Sequence, residues 1–355
     1  MRFVFNRKLN IANRILFLFM IFLLTTSIFS EGSSWSSFSK ESEHMEREFN
    51  YRWGLEAINA LSPGEVGEEN SEEIVVAVID SGIDTSVLPL KGKMWVNQDE
   101  IPGDNIDNDG NGYVDDVNGW DFWDEDPSSK VGSEINYHGT FIGGIIAASR
   151  DSSTGIGGVA PNVKLMDLRV LDSKGQFYSK DWSKLFRAID YAVSNGARII
   201  NLSIYSTLSP PQYVMKEIQS ATSNEVLVVG IPRNGQRGVK YFCEGEEMLV
   251  VGAMNKDEIP RNYSNSDFRI DLVAPGEEVL SLVPGGKTDR KSGASFAAAH
   301  VTGGAGLIMS IHPEISVQEL KDLLKKSAKD LQGEGYDPKT GYGLLDIKKA
   351  LSLLN

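Results

Sequence analysis

One cysteine in 355 residues, Cys243, excludes an internal disulfide, so stability has to come from a packed core or from bound ions. Positive charge is also short: 35 Lys and Arg stand against 49 Asp and Glu, a formal charge of −14. A surface this acidic is repelled by nucleic acids and anionic membranes, which removes both as expected partners. No internal repeat and no long low-complexity tract interrupts the chain. The longest apolar run, Ile15 to Phe29, is shorter than the roughly 20 residues that a membrane-spanning helix requires. Histidine is scarce, with four in all (His44, His138, His300 and His312), so imidazole chemistry has few places to sit.

The rest of the composition, 41% hydrophobic with 35 Gly and 13 Pro, is enough for one sizeable core. That core does not begin at the N-terminus. Arg2, Arg7, Lys8 and Arg14 precede the apolar run, and Ser30-Glu31-Gly32-Ser33-Ser34 follows it, the pattern of a cleaved export signal. An uncleaved anchor is the alternative. Removing residues 1–30 takes away four basic residues and no acidic ones, moving the charge from −14 to −18. Residues 31–50 read as a short polar leader, too small to bury a core of its own, and residues 51–355 as the folded domain.

Ile74 to Ile79 is a continuous β-branched run that meets a turn at Asp80-Ser81-Gly82. The spacing of Trp182, Leu185, Phe186, Ile189 and Ala192 predicts a helix over 180–194, followed by a strand over 197–202. Further helices are predicted over 211–222, 295–311 and 316–327, and strands over 226–230 and 248–252. Strands alternating with helices predict an α/β fold, a mostly parallel central sheet covered by helices on both faces. Reactive residues in such sheets gather outside the carboxyl ends of the strands.

Three segments carry the chemistry: Ala77-Val78-Ile79-Asp80-Ser81-Gly82, Tyr137-His138-Gly139-Thr140 and Gly293-Ala294-Ser295-Phe296-Ala297-Ala298-Ala299-His300. They supply a carboxylate, an imidazole and a hydroxyl in that chain order. A serine hydroxyl is a poor nucleophile until an imidazole takes its proton, and a buried carboxylate must hold that imidazole in the right tautomer. Singly, each segment has an ordinary reading: a turn cap, an exposed loop histidine, a helix N-cap serine. Jointly they resemble the subtilisin-like serine protease family, whose signatures read Asp-Ser/Thr-Gly, His-Gly-Thr-His and Gly-Thr-Ser-Met-Ala-Ala-Pro-His, in the same order. The resemblance runs from about Tyr51 to the C-terminus.

The resemblance implies a three-layer subtilisin-like fold and a peptidase in which Asp80 orients His138, and His138 deprotonates Ser295. The family's Ala-Ala-Gly-Asn segment aligns with Ile231-Pro232-Arg233-Asn234, which makes Asn234 the oxyanion donor beside the Ser295 N–H. Losing such a donor costs about 10²–10³ in rate. Asn201-Leu202-Ser203-Ile204-Tyr205-Ser206 matches the strand that pairs with substrate, so Ser203 and Tyr205 border the groove. Arg233 stands where a family glycine borders the pocket for the side chain before the cut; pointing inward it predicts an acidic preference there, and turned to solvent it leaves the pocket apolar. The chain departs from the signatures at Ala294, Ala299 and Tyr205. Many family members also carry a folded pro-domain, for which the short leader leaves no room.

Between Met94 and Ser129 there are eleven acidic residues and no Lys or Arg. Asn105, Asp107, Asp109, Asn111 and Asp116 fall at positions 1, 3, 5, 7 and 12 of an EF-hand-like loop, with Gly110 at the sharp turn. This pattern predicts a structural Ca²⁺ ion within the larger fold. The combined expectation is an exported, calcium-stabilised monomeric endopeptidase acting on polypeptides. The rival expectations are a catalytically silent module binding peptides or a partner, and a calcium-dependent surface or adhesion module.

Overall fold

The computed structural model describes residues 53–60, 72–127, 136–149, 156–206, 208–232, 245–261 and 269–354. All lie in one compact unit, Asn50–Asn355. The expected export signal and leader, residues 1–50, fall outside the described residues, as do Arg233 and Asn234.

Strand β1 (Val75–Asp80) shows why a β-branched run without polar alternation makes a central strand. Val76 and Val78 point into one hydrophobic cluster, while Ala77 and Ile79 point into another on the opposite face. The same alternation recurs in β6 (Leu227–Gly230), where Leu227 and Val229 oppose Val228, and in β7 (Met248–Met254), where Leu249 and Val251 oppose Val250. With β2 (Gly119–Asp121), β3 (Asp126–Pro127), β4 (Lys164–Arg169), β5 (Ile199–Leu202) and β8 (Leu272–Pro275), these strands form an eight-stranded sheet in the order β3-β2-β4-β1-β5-β6-β7-β8. Every neighbouring pair is parallel except β2 with the edge strand β3.

Helices cover both faces. Trp182, Leu185 and Ile189 of α2 (Trp182–Ser194), with Val214 and Ile218 of α3 (Gln212–Ser223), close one cluster. The other face receives α1 (Tyr137–Ala147), α4 (Ala294–Ile311), α5 (Val317–Ser327) and α6 (Ile347–Ser352). Helix α5 opens with a capping box in which Ser316 and Glu319 each accept the other's backbone N–H, a device worth about 1 kcal/mol. Among the described residues, only α4 is long and apolar enough to cross a membrane, and it is the buried core helix.

A two-stranded hairpin of β9 (Val279–Val283) and β10 (Lys287–Lys291) stands apart from the sheet. It is anchored to α1 by Ser281 Oγ, which donates to the Phe141 carbonyl at 2.8 Å, and to the loop after β1 by Gly285 N–H, which donates to Asp84 at 2.8 Å. The register pairs Asp80 at the end of β1 with Arg169 at the end of β4. Arg169 is buried and reaches Asp121 at 2.6 Å and Asp124 at 2.7 Å, which fixes the carboxyl ends of β2 and β4 beside Asp80. Removing one partner of such a buried pair typically costs about 3–5 kcal/mol.

Candidate active site

Asp80 is the last residue of β1 and is fully buried. Its backbone carbonyl accepts from Val170 and Leu171 N–H, and its carboxylate accepts from Ser81 N–H at 2.7 Å. Both carboxylate oxygens face His138 Nδ1, at 2.9 and 2.8 Å. Because Nδ1 meets a carboxylate, the neutral ring carries its proton there and leaves Nε2 as the basic lone pair.

His138 is the second residue of α1, whose N-cap Asn136 accepts the His138 backbone N–H at 3.1 Å. Ser81 joins the two segments: its hydroxyl accepts Gly139 N–H at 3.0 Å and donates to the Asn136 carbonyl at 3.2 Å. The approach is so close that a Cβ on Gly139 would lie 2.4 Å from the Gly82 carbonyl oxygen, and Gly82 itself has φ +94°. Only glycine fits at both places. Burial disfavours the imidazolium form of His138, but the charge and hydrogen bond of Asp80 outweigh it and raise the pKa above its usual 6.5.

Ser295 is the second residue of α4 and is partly exposed. The N-cap is Gly293, which has no side chain, so the Ser295 hydroxyl is not used in capping. The free N–H groups of this first turn and the partial positive charge of the helix end favour a developing oxyanion. Among the described hydrogen bonds none joins Ser295 Oγ to His138; such bonds are often loose until substrate is bound. Phe296, next to Ser295 on α4, has its ring centroid 5.7 Å from that of His138 and 4.4 Å from that of Phe141.

Ser203, just past β5, is buried with Oγ 3.0 Å from Asn201 Oδ1 and 3.4 Å from the Ser295 carbonyl oxygen. Asn201 Nδ2 in turn donates to Thr302 of α4 at 2.9 Å. This chain ties the end of β5 to the helix that carries Ser295. Tyr205, two residues on, is 60% exposed.

Residues 71–343 match the model of the Subtilase family, peptidase S8. The chain belongs to the subtilase family. It is 32% identical over 282 residues to the Major intracellular serine protease of Bacillus subtilis (strain 168), covering 75% of this chain and 81% of that protein. It is 30% identical over 319 residues to Subtilisin E of the same strain, covering 87% and 74%. The Cell wall-associated protease of that strain is 29% identical over 303 residues, which are 79% of this chain but 31% of the longer relative. Among solved structures, fervidolysin from Fervidobacterium pennivorans, described as a keratinolytic enzyme related to subtilisin, superposes with a TM-score of 0.67 at 25% identity. That match covers 84% of this chain and 45% of fervidolysin.

In this subtilase the acidic loop is arranged differently from the EF-hand-like expectation. Asp109, Asn111 and Asp116 converge, but Asn105 and Asp107 do not join them. Asp107 turns back to accept the backbone N–H groups of Gly110, Asn111 and Gly112, and Asn105, with φ +61°, donates its N–H to Asp115. Glu100 converges with Asp109 and Asp116 instead. One carboxylate oxygen from each of Glu100, Asp109 and Asp116 lies within 4.8 Å of the others. Glu100 was hidden in the sequence because it precedes the motif by five residues; its buried side chain accepts Asn108, Asp109 and Asp115 N–H groups.

The partners that meet these carboxylates are neutral. The side-chain amides of Asn97 and Asn111 each donate to both Asp109 and Asp116, and Tyr191 O–H donates to Asp116 at 2.5 Å. Burial first, and then Asp116, keep the Tyr191 phenol protonated well above its usual range. Three carboxylates beside amides that also offer carbonyl oxygens form a hard-oxygen donor set that fits a divalent cation such as Ca²⁺.

Proposed function

We propose that this subtilase is an exported serine endopeptidase that cleaves polypeptides through an acyl-enzyme. The observation that carries the reading is the buried Asp80 carboxylate held 2.8–2.9 Å from His138 Nδ1 at the carboxyl end of β1, beside a serine on the first turn of α4. His138 takes the Ser295 proton through Nε2 as Oγ attacks a peptide carbonyl. The Ser295 N–H and Asn234 receive the oxyanion, and His138 returns the proton to the departing amine. Water then repeats the sequence and frees the acyl group. Asp80 stabilises the imidazolium throughout, in line with the raised His138 pKa. Ser203 and Tyr205 border the groove for the acyl side, and Arg233, by its place in the sequence, favours an acidic side chain before the cut.

Residues 1–30 are the export signal, residues 31–50 a leader, and residues 51–355 the peptidase domain, acting as a monomer. Glu100, Asp109 and Asp116, with Asn97 and Asn111 beside them, hold a structural Ca²⁺ ion, which neutralises their mutual repulsion. The test is hydrolysis of unstructured peptides by the purified protein and by Ser295→Ala. Wild-type turnover that disappears in a folded Ser295→Ala variant supports the reading. Turnover that survives the substitution removes Ser295 from the mechanism.

A further inference from the structure

Resting on the peptidase reading, we infer that Lys291 selects substrates with an acidic side chain in the first two positions after the cut bond. The chain as a whole carries −14, yet the five residues of β10 include three cations, Lys287, Arg290 and Lys291, against the single anion Asp289. This basic strand runs directly into Ser292, Gly293 and Ser295.

Lys291 is held against Tyr137, the residue preceding the catalytic histidine. Its Nζ lies 4.8 Å from the centroid of the Tyr137 ring, and that ring lies 6.1 Å from the His138 ring. The hairpin is fixed to the same neighbourhood at the middle of β9, through Ser281 on Phe141, and at its turn, through Gly285 on Asp84, and Lys291 pairs in register with Val279, so the ammonium does not depend on a free loop for its place. His138 must pass its proton to the departing amine, so the departing segment runs past groups packed around His138. Those groups are Phe296 and Tyr137, with the Lys291 ammonium over the Tyr137 ring. The two centroid distances place Nζ no more than about 11 Å from the imidazole, a span that one or two extended residues of about 3.3 Å each and a Glu side chain can bridge.

Asp289 lies 2.6 Å from Lys291 Nζ, and both side chains are partly exposed, at 49% and 33%. A half-exposed pair of this kind is weak. The ammonium has three N–H donors, so one can serve Asp289 while another meets a substrate carboxylate. Asp289 then moderates the preference, and its removal should sharpen it.

The experiment compares kcat/KM for peptides identical except for Glu, Gln or Lys at the first or second position after the cut. At low ionic strength wild type should cleave the Glu peptide about threefold faster than the Gln peptide, the scale of one exposed charge contact. The advantage should shrink as salt is raised. Lys291→Gln should abolish the Glu-to-Lys ratio, Lys291→Glu should invert it, and Asp289→Asn should increase it. Each ratio is taken within one protein preparation, so a partial loss of folded or active enzyme cancels. Equal ratios in wild type, Lys291→Gln and Lys291→Glu overturn the inference while leaving the peptidase intact. No cleavage of any peptide by wild type overturns the peptidase reading, and the inference with it.

Discussion

His300 should make this protein sensitive to mild acid. It lies on α4 one turn and a half beyond Ser295, is 3% exposed, and has Nδ1 2.7 Å from the Phe296 carbonyl oxygen. Gly54 packs so closely that a Cβ there would lie 2.9 Å from Nε2. Burial pushes the imidazole pKa down to about 4, against the opposing effect of the Phe296 and Pro275 carbonyls. In the unfolded chain the same group titrates near 6.5, so below that pH the unfolded state binds the proton and the folded state does not. The stabilisation associated with neutral His300 is therefore complete above pH 6.5 and is lost as pH falls toward 4. A shift of 2.5 units corresponds to about 3 kcal/mol in total, and about 2 kcal/mol is gone by pH 5, before most carboxylates protonate. His138, with its raised pKa, works in the opposite direction, so the contribution must be isolated as a difference. Urea unfolding of Ser295→Ala and of Ser295→Ala/His300→Gln, at pH 7.5, 6 and 5 and constant calcium, supplies it. The glutamine keeps an N–H for the Phe296 carbonyl and removes the titration. The stability gap between the two proteins should close or reverse by about 2 kcal/mol on going to pH 5. Parallel pH profiles would refute the assignment of a buried neutral imidazole.

The raised His138 pKa predicts that kcat/KM falls on the acid side with an apparent pKa above 6.5, since the protonated ring cannot accept the serine proton. Asp80→Asn should move that limb downward and lower the rate on the order of 10⁴-fold; an unmoved limb would deny Asp80 its electrostatic role. Calcium at about 100 times its dissociation constant should add about 2.7 kcal/mol of stability, measured as a shift in Tm on chelation. Glu100→Gln and Asp116→Asn should abolish the chelator response while Asp107→Ala leaves most of it, and the reverse pattern would restore the EF-hand-like ligand set.

The sheet strands that read clearly in the sequence are those buried on both faces. Val75–Asp80, Leu227–Gly230 and Met248–Met254 are continuous apolar runs because both of their faces meet helices. Strand β4, Lys-Leu-Met-Asp-Leu-Arg, was missed because Asp167 and Arg169 break the run, although Arg169 is there to bind Asp121 and Asp124. The β9–β10 hairpin was missed because β10 is almost wholly polar and pairs on one side alone. At the site, Asp80, His138 and Ser295 stood out because their chemistry requires those residue types in recognisable surroundings. Ser81, Asn136, Asn201 and Phe296 did not, since each acts through a contact 55 or more residues away in sequence, or, for Phe296, through ring packing that no local pattern encodes. The loop motif named the segment in which Asp109 and Asp116 converge. It missed Glu100 because spacing within a loop cannot show which carboxylates turn inward and which cap their own backbone.

Labelling with a fluorophosphonate, followed by peptide mapping of the modified residue, tests the central claim most directly. The reagent reacts with a serine whose proton a neighbouring imidazole can take and whose oxyanion is stabilised. Calcium-loaded wild-type protein should be modified once, on Ser295, and Ser295→Ala and His138→Ala should remain unmodified. Folded wild-type protein that takes up no label, or takes it up on another residue, would contradict the account.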